Sequence, residues 1–171
     1  SGINPHEDLS LIESAQIIIS HVTEGMKLAE RNNLPSIIKD FISTHHGHGK
    51  AKYFYLKYKN ENPDDQVDDL LFTYPGPNPF TREQAILMIA DGVEAASRSL
   101  PEYTEKNIRD LVNRLVDGMV NDGFFRECPI TFRDITYAKT VLCEKLKTIY
   151  HARVSYPVDK NANKTADKTE K

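Results

Sequence analysis

Leu11-Ile12-Glu13-Ser14-Ala15-Gln16-Ile17-Ile18-Ile19-Ser20-His21-Val22 decides how the rest of this chain is read. Its apolar residues at 11, 12, 15, 18, 19 and 22 continue at 26 and 29, the period of an amphipathic helix. Ser10 stands ready to cap that helix, and Glu13 lies three positions on, at the capping-box spacing. His21 sits inside the apolar run, where a packing residue is expected. The same anomaly recurs downstream. His45 and His46 are adjacent after Phe41-Ile42-Ser43-Thr44, and Asp91 interrupts Ala85-Ile86-Leu87-Met88-Ile89-Ala90-Asp91-Gly92-Val93.

Working outward, Asn32-Asn33 ends the first helix and Leu34-Pro35 restarts the chain, with Pro35 suited to a first turn. Ile37, Ile38, Phe41 and Ile42 predict a buried stripe that carries at least one of the two imidazoles inward. Gly47 ends this helix. Tyr53-Phe54-Tyr55-Leu56 and Tyr58, with no strand partner in sight, favour a short helix over a strand. The acidic run Asn62-Pro63-Asp64-Asp65-Gln66-Val67-Asp68-Asp69 reads as a solvated loop. Tyr74-Pro75-Gly76-Pro77-Asn78-Pro79 forces a stiff, extended connection.

Thr81 and Gln84 repeat the capping-box pair and open a helix running to about Leu100. Thr104 starts another, in which Ile108, Leu111, Val112, Leu115, Val116 and Met119 keep the helical period as far as Asn121-Asp122-Gly123. Thr131 caps a last helix carrying Ile135, Ala138, Leu142, Leu146 and Ile149. The expectation is one all-α domain over residues 1–157, with five long or medium helices and one short one. Residues 158–171 are expected to be a disordered polar tail. The long, proline-rich connection at 61–80 argues against a simple up-and-down bundle.

The 171 residues suit a single domain, and a formal charge of -3 gives no electrostatic case for a nucleic-acid polymer as partner. Cys128 and Cys143 lack metal-motif spacing and read as reduced thiols. No apolar run approaches the roughly 20 residues that span a bilayer, and no signal peptide opens the sequence. The start at Ser1-Gly2, without an initiator Met, leads to the expectation of a piece cut from a longer protein.

The chemistry-bearing residues admit two readings. Three histidines with a carboxylate suit a borderline divalent ion: imidazole favours iron, zinc or cobalt, and carboxylate admits manganese. Such ions polarise phosphate oxygens and lower the pKa of water. The alternative is that each His is a hydrogen-bonded structural residue. Successive helical side chains diverge by about 100°, so His45 and His46 reach one site only at a helix end, or else serve neighbouring metals. Asp91 must ligate a cation or pair with a base if it is buried. Arg98, two turns downstream, is a phosphate-binding candidate by type, against a plain surface role. His48, between two glycines, reads as a loop residue. Gly47-His48-Gly49-Lys50 lacks the strand and spacing of a phosphate loop, and nothing suggests a nucleophilic triad.

The run Ser14 to Val22, His45-His46-Gly47, Tyr74-Pro75-Gly76-Pro77 and Ala90-Asp91-Gly92-Val93-Glu94-Ala95-Ala96-Ser97-Arg98-Ser99 resemble the cytoplasmic HD domain of bacterial seven-transmembrane HD proteins. The resemblance covers residues 2 to about 157. It implies an all-helical HD domain, here N-terminally truncated, that holds two divalent metals (Fe or Mn) in its intact form. It further implies hydrolysis of cyclic di-AMP to pApA, in a signalling protein of the cell membrane whose HD domain faces the cytoplasm. On this resemblance His21, His45 and His46 hold one metal and Asp91 the other, while Arg98 is a substrate-binding candidate.

The family's bridging aspartate belongs to a His-Asp dipeptide, and a further His ligand lies upstream of it. No His-Asp dipeptide occurs in these 171 residues. The expectation is therefore a soluble fragment that binds at most one metal, weakly, and is inactive by itself. Apolar surface left bare invites a homodimer or a domain swap. Two alternatives stay open: an HD phosphohydrolase for another nucleotide such as cyclic di-GMP, and a non-catalytic helical sensing or scaffolding domain.

Overall fold

In a computed structural model, residues 10–151 are described. The expected loop before Ser10, the tail at 158–171 and the boundary near residue 157 lie outside them. Among the described residues the chain is all-helical, with six α-helices, one 3-10 turn and no strand. The helices are α1 (Leu11–Arg31), α2 (Ser36–Thr44), α3 (Lys52–Glu61), α4 (Arg82–Ser97), α5 (Glu105–Asn121) and α6 (Phe132–His151).

The helix starts are written in local hydrogen bonds. At α1 the Ser10 hydroxyl accepts from the Glu13 N–H at 3.2 Å, and the Glu13 carboxylate accepts from the Ser10 N–H at 2.9 Å. Thr81 and Gln84 form the same reciprocal pair at α4, so that the donors of the first turn are satisfied. Thr104 caps α5, and Thr131 exchanges hydrogen bonds with Asp134 at α6. Asn33 carries the turn after α1 at a φ of 52°, a left-handed conformation that asparagine tolerates.

Two apolar clusters form from these elements. The larger lies between α4, α5 and α6, with Ala85, Ile89, Val93, Ile108, Val112 and Val116 fully buried. Each of these isoleucines and valines contributes about 1.5–3 kcal/mol by leaving water. The smaller joins α1, α3 and the 3-10 turn Asp69–Phe72, through Ala15, Ile19, Val22, Ala51, Phe72 and Tyr74. Phe72 is fully buried at its centre. Asp68 caps the turn at the Leu70 N–H, and the Gln16 side chain donates to the Leu71 carbonyl. The acidic run therefore ends in a packed element that its composition does not announce.

Helix α2 spans the two clusters, packing on α1 and on α4. The stripe expected on it is corrected by the structure. Ile37 and Ile38 are 60% and 41% exposed, Phe41 and Ile42 are only half-buried, and Thr44 is the one buried residue of the helix. Among the described residues no element covers its outer face. Between Glu61 and Arg82 the connection holds a turn at 63–64 and the 3-10 turn, and no α-helix.

Candidate metal centre

His21 is presented by the middle of α1, whereas His45 and His46 follow the last residue of α2, with His45 as its C-cap. The helix end answers the geometric problem of adjacent histidines. Gly47, at a φ of 53°, turns the backbone away immediately afterwards, and the two rings are free to face the same point. One ring nitrogen from each of His21, His45 and His46 lies within 4.8 Å of the others. The ring centroids are 4.1 Å apart for His45–His46, 5.0 Å for His21–His46 and 5.2 Å for His21–His45.

Backbone carbonyls fix two of these rings. His21 Nδ1 lies 2.5 Å from the Ile18 carbonyl, and His45 Nδ1 lies 2.7 Å from the Ile42 carbonyl. A carbonyl only accepts, so both Nδ1 atoms carry the proton and a neutral ring exposes its lone pair at Nε2. Those two Nε2 atoms face each other at 3.0 Å. Two facing lone pairs repel unless a proton or a cation joins them. Two nitrogens bound to one ion at about 2.0–2.1 Å stand roughly 3 Å apart, so the donor set fits a divalent cation. The carbonyl acceptors behind the rings are the usual outer partners of ligating histidines.

His46 completes the set differently. Burial, with help from the neighbouring His45 and His21, pushes its pKa down to about 3, so the ring is neutral near pH 7 and its lone pair is available. The Asp91 carboxylate, from α4, lies 3.8 Å from His46 Nδ1. With His46 uncharged this approach is a charge–dipole contact rather than an ion pair. Asp91 stands outside the three-histidine group but beside it, its side chain 43% exposed. His21 is exposed as well, so the site opens to solvent at His21 and Asp91.

Arg98 is engaged by a neighbour on its own helix. It caps the end of α4, and its guanidinium grips the Glu94 carboxylate through Nη2 at 2.9 Å and Nε at 3.1 Å. That pair raises its pKa, with a smaller contribution from the charge of Asp91. His48 lies in the turn after the cluster, where its N–H donates to Asn78 Oδ1 at 2.9 Å. The residue that sequence reasoning did not single out is Tyr74. It is buried, its ring stacks on His46 at 4.2 Å and meets the edge of His21 at 5.9 Å. Burial and the nearby Asp91 charge raise the pKa of its phenol. The only sequence signal was its place at the head of Tyr-Pro-Gly-Pro.

An all-helical chain that gathers one mid-helix histidine and two at a helix end around one point, with an aspartate from a later helix alongside, is of the class that the resemblance to an HD domain implies. Comparison with known proteins names the family. The chain is 40% identical to the HD domain of the Listeria monocytogenes phosphodiesterase PgpH in complex with cyclic di-AMP, with a TM-score of 0.81 over 88% of this chain and 69% of that one. It is 41% identical to the cyclic-di-AMP phosphodiesterase PgpH of Listeria monocytogenes, over 94% of this chain and 22% of the relative. It is 42% identical to that of Bacillus subtilis, over 90% and 21%. No family model matches the chain. The chain belongs to the PgpH HD-domain family. It spans about a fifth of the length of the curated relatives it matches. No helix among the described residues is long and apolar enough to cross a membrane.

Proposed function

We propose that this chain is part of a metal-dependent phosphodiesterase that hydrolyses cyclic di-AMP to pApA, and that His21, His45, His46 and Asp91 are its metal-binding residues. The observation that carries the reading is the meeting of His21 Nε2 and His45 Nε2 at 3.0 Å, with each Nδ1 held on a carbonyl. The activity of the PgpH relatives supports the substrate.

A divalent cation, with Fe or Mn as the proposed identities, supplies Lewis acidity toward a phosphodiester and a nucleophile at neutral pH. The chain's own part is preorganisation. Ile18 and Ile42 carbonyls hold two imidazoles in one tautomer, burial keeps His46 neutral, and Asp91 adds negative charge on the solvent-open side. Arg98 is the proposed phosphate contact, which requires its guanidinium to leave Glu94. With three imidazoles and one carboxylate and no His-Asp dipeptide, the 171 residues alone hold at most one metal, weakly, and are inactive by themselves. We place the longer protein at the cell membrane with this domain in the cytoplasm. The bare Leu28, Ile37 and Ile38 favour self-association of the isolated chain.

The test compares cyclic di-AMP and cyclic di-GMP hydrolysis by the protein carrying its native upstream sequence, with His45→Ala alongside. The expected outcome is faster cleavage of cyclic di-AMP and at least about a hundredfold loss in His45→Ala, beyond what removal of an outer partner costs. Equal rates on both dinucleotides would remove the substrate assignment. Unchanged activity in His45→Ala would remove the site.

A further inference from the structure

His21 and His45 each have a carbonyl behind Nδ1 that sets the ring, but His46 does not. Its Nδ1 looks across 3.8 Å at Asp91, too far for a hydrogen bond to set its angle. The face of the His46 ring, by contrast, lies against Tyr74 at 4.2 Å between centroids and 24° between planes. We propose that Tyr74 is a positioning residue of the three-histidine site, orienting His46 through this stack as the Ile18 and Ile42 carbonyls orient its two neighbours. The inference rests on the metal-site reading above.

Stacking orients a ring only if the stacking partner is itself fixed, and Tyr74 is. Its N–H donates to the Gly49 carbonyl at 2.8 Å, and the Ala51 N–H donates to the Phe72 carbonyl at 2.8 Å. Lys50 and Thr73 form an antiparallel bridge between these bonds. The segment that follows the histidine pair is thus zipped to the segment that carries Tyr74. Beyond Tyr74 the grip continues. Asn78 Oδ1 accepts from the His48 N–H, and a Cβ at Gly47 would stand 2.5 Å from that oxygen. Gly76, at a φ of 74°, lies against the His48 ring so closely that a Cβ would come within 2.2 Å of it. Both positions combine a left-handed backbone with a close neighbour, which glycine meets without strain. Residues 72–78 therefore clasp residues 47–51, and the ring of Tyr74 is where the clasp meets the ligand set. Its edge also reaches His21, so one side chain touches two of the three imidazoles.

The experiment titrates the 171-residue chain with Co(II), read by calorimetry and by the visible d–d absorption of the bound ion. Tyr74→Phe keeps the ring and is expected within about twofold of the parent affinity. Tyr74→Leu removes the stack and is expected to weaken Co(II) by about ten- to a hundredfold, as loss of an outer partner does, with a changed band shape. Parent-like affinity and spectrum in Tyr74→Leu would overturn the inference while leaving the metal site intact. A parent chain that takes up no Co(II) would overturn the metal reading, and this inference with it. If Tyr74→Leu loses its helical circular dichroism, the metal-free parent decides: its His46 ring protons are expected upfield, in the shielding cone of Tyr74, and ordinary shifts there would overturn the proposal.

Discussion

The two apolar clusters differ in what they leave unfinished. Between α4, α5 and α6 the core is closed around the fully buried Ile89 and Ile108, and among the described residues it presents no cluster of ligand-type side chains. Around α1, α3 and the 3-10 turn the core is thinner and centred on one phenylalanine, and it carries all three histidines and Tyr74 at its edge. The closed half reaches the site through a single carboxylate, Asp91. Chemistry sits where packing is least complete, because ligand side chains need a face that apolar neighbours have not filled.

Core truncations test that division most severely. Phe72→Ala is expected to cost about 3–5 kcal/mol in urea denaturation and to abolish Co(II) binding, since Tyr74 and α1 lose their common support. Ile108→Ala, in the closed half, is expected to cost about 2–5 kcal/mol while leaving Co(II) affinity near that of the parent. Loss of binding in a still-folded Ile108→Ala protein would show that the two halves do not divide the work.

Acid gives the next effect. In the metal-free chain His46 takes its proton near pH 3 when folded and near its ordinary value of 6.5 when unfolded. Between those values the unfolded state holds more protons, so falling pH favours unfolding. Stability is therefore full above about pH 6.5 and declines toward pH 3 by at most about 1.4 kcal/mol per pH unit. His46→Gln should flatten that slope in denaturation midpoints taken across the window, and an unchanged slope would assign it to other groups. The smallest effect belongs to the scaffold's caps: Thr81→Ala is expected to lower stability by about 1 kcal/mol without changing Co(II) affinity.

Much of this was legible in the residues themselves. The capping pairs Ser10/Glu13 and Thr81/Gln84 and the unbroken period from Ile108 to Met119 mark helices because they are local signals. Helical geometry leaves adjacent His45 and His46 either a helix end or neighbouring metals, and α2 does stop there. Leu70-Leu71-Phe72 was not legible, since three apolar residues beside an acidic run have no period to read. Ile37 and Ile38 misled for the opposite reason. Their spacing is that of a buried face, but burial depends on a neighbour that the period of one helix cannot supply. The role of Tyr74 is not legible because stacking joins residues 28 positions apart, and its place before Pro-Gly-Pro does not say which ring it meets.

Where α2 stops has a consequence for how this site can vary. A ligand pair on the flank of a helix survives lengthening of that helix, because whole turns can be added above or below it. A pair seated on the final peptide units has no such latitude. Any inserted residue that prolonged α2 past Thr44 would swing the two rings apart and dismantle the site without touching a single ligand. Length, rather than composition, is the quantity this segment has to conserve.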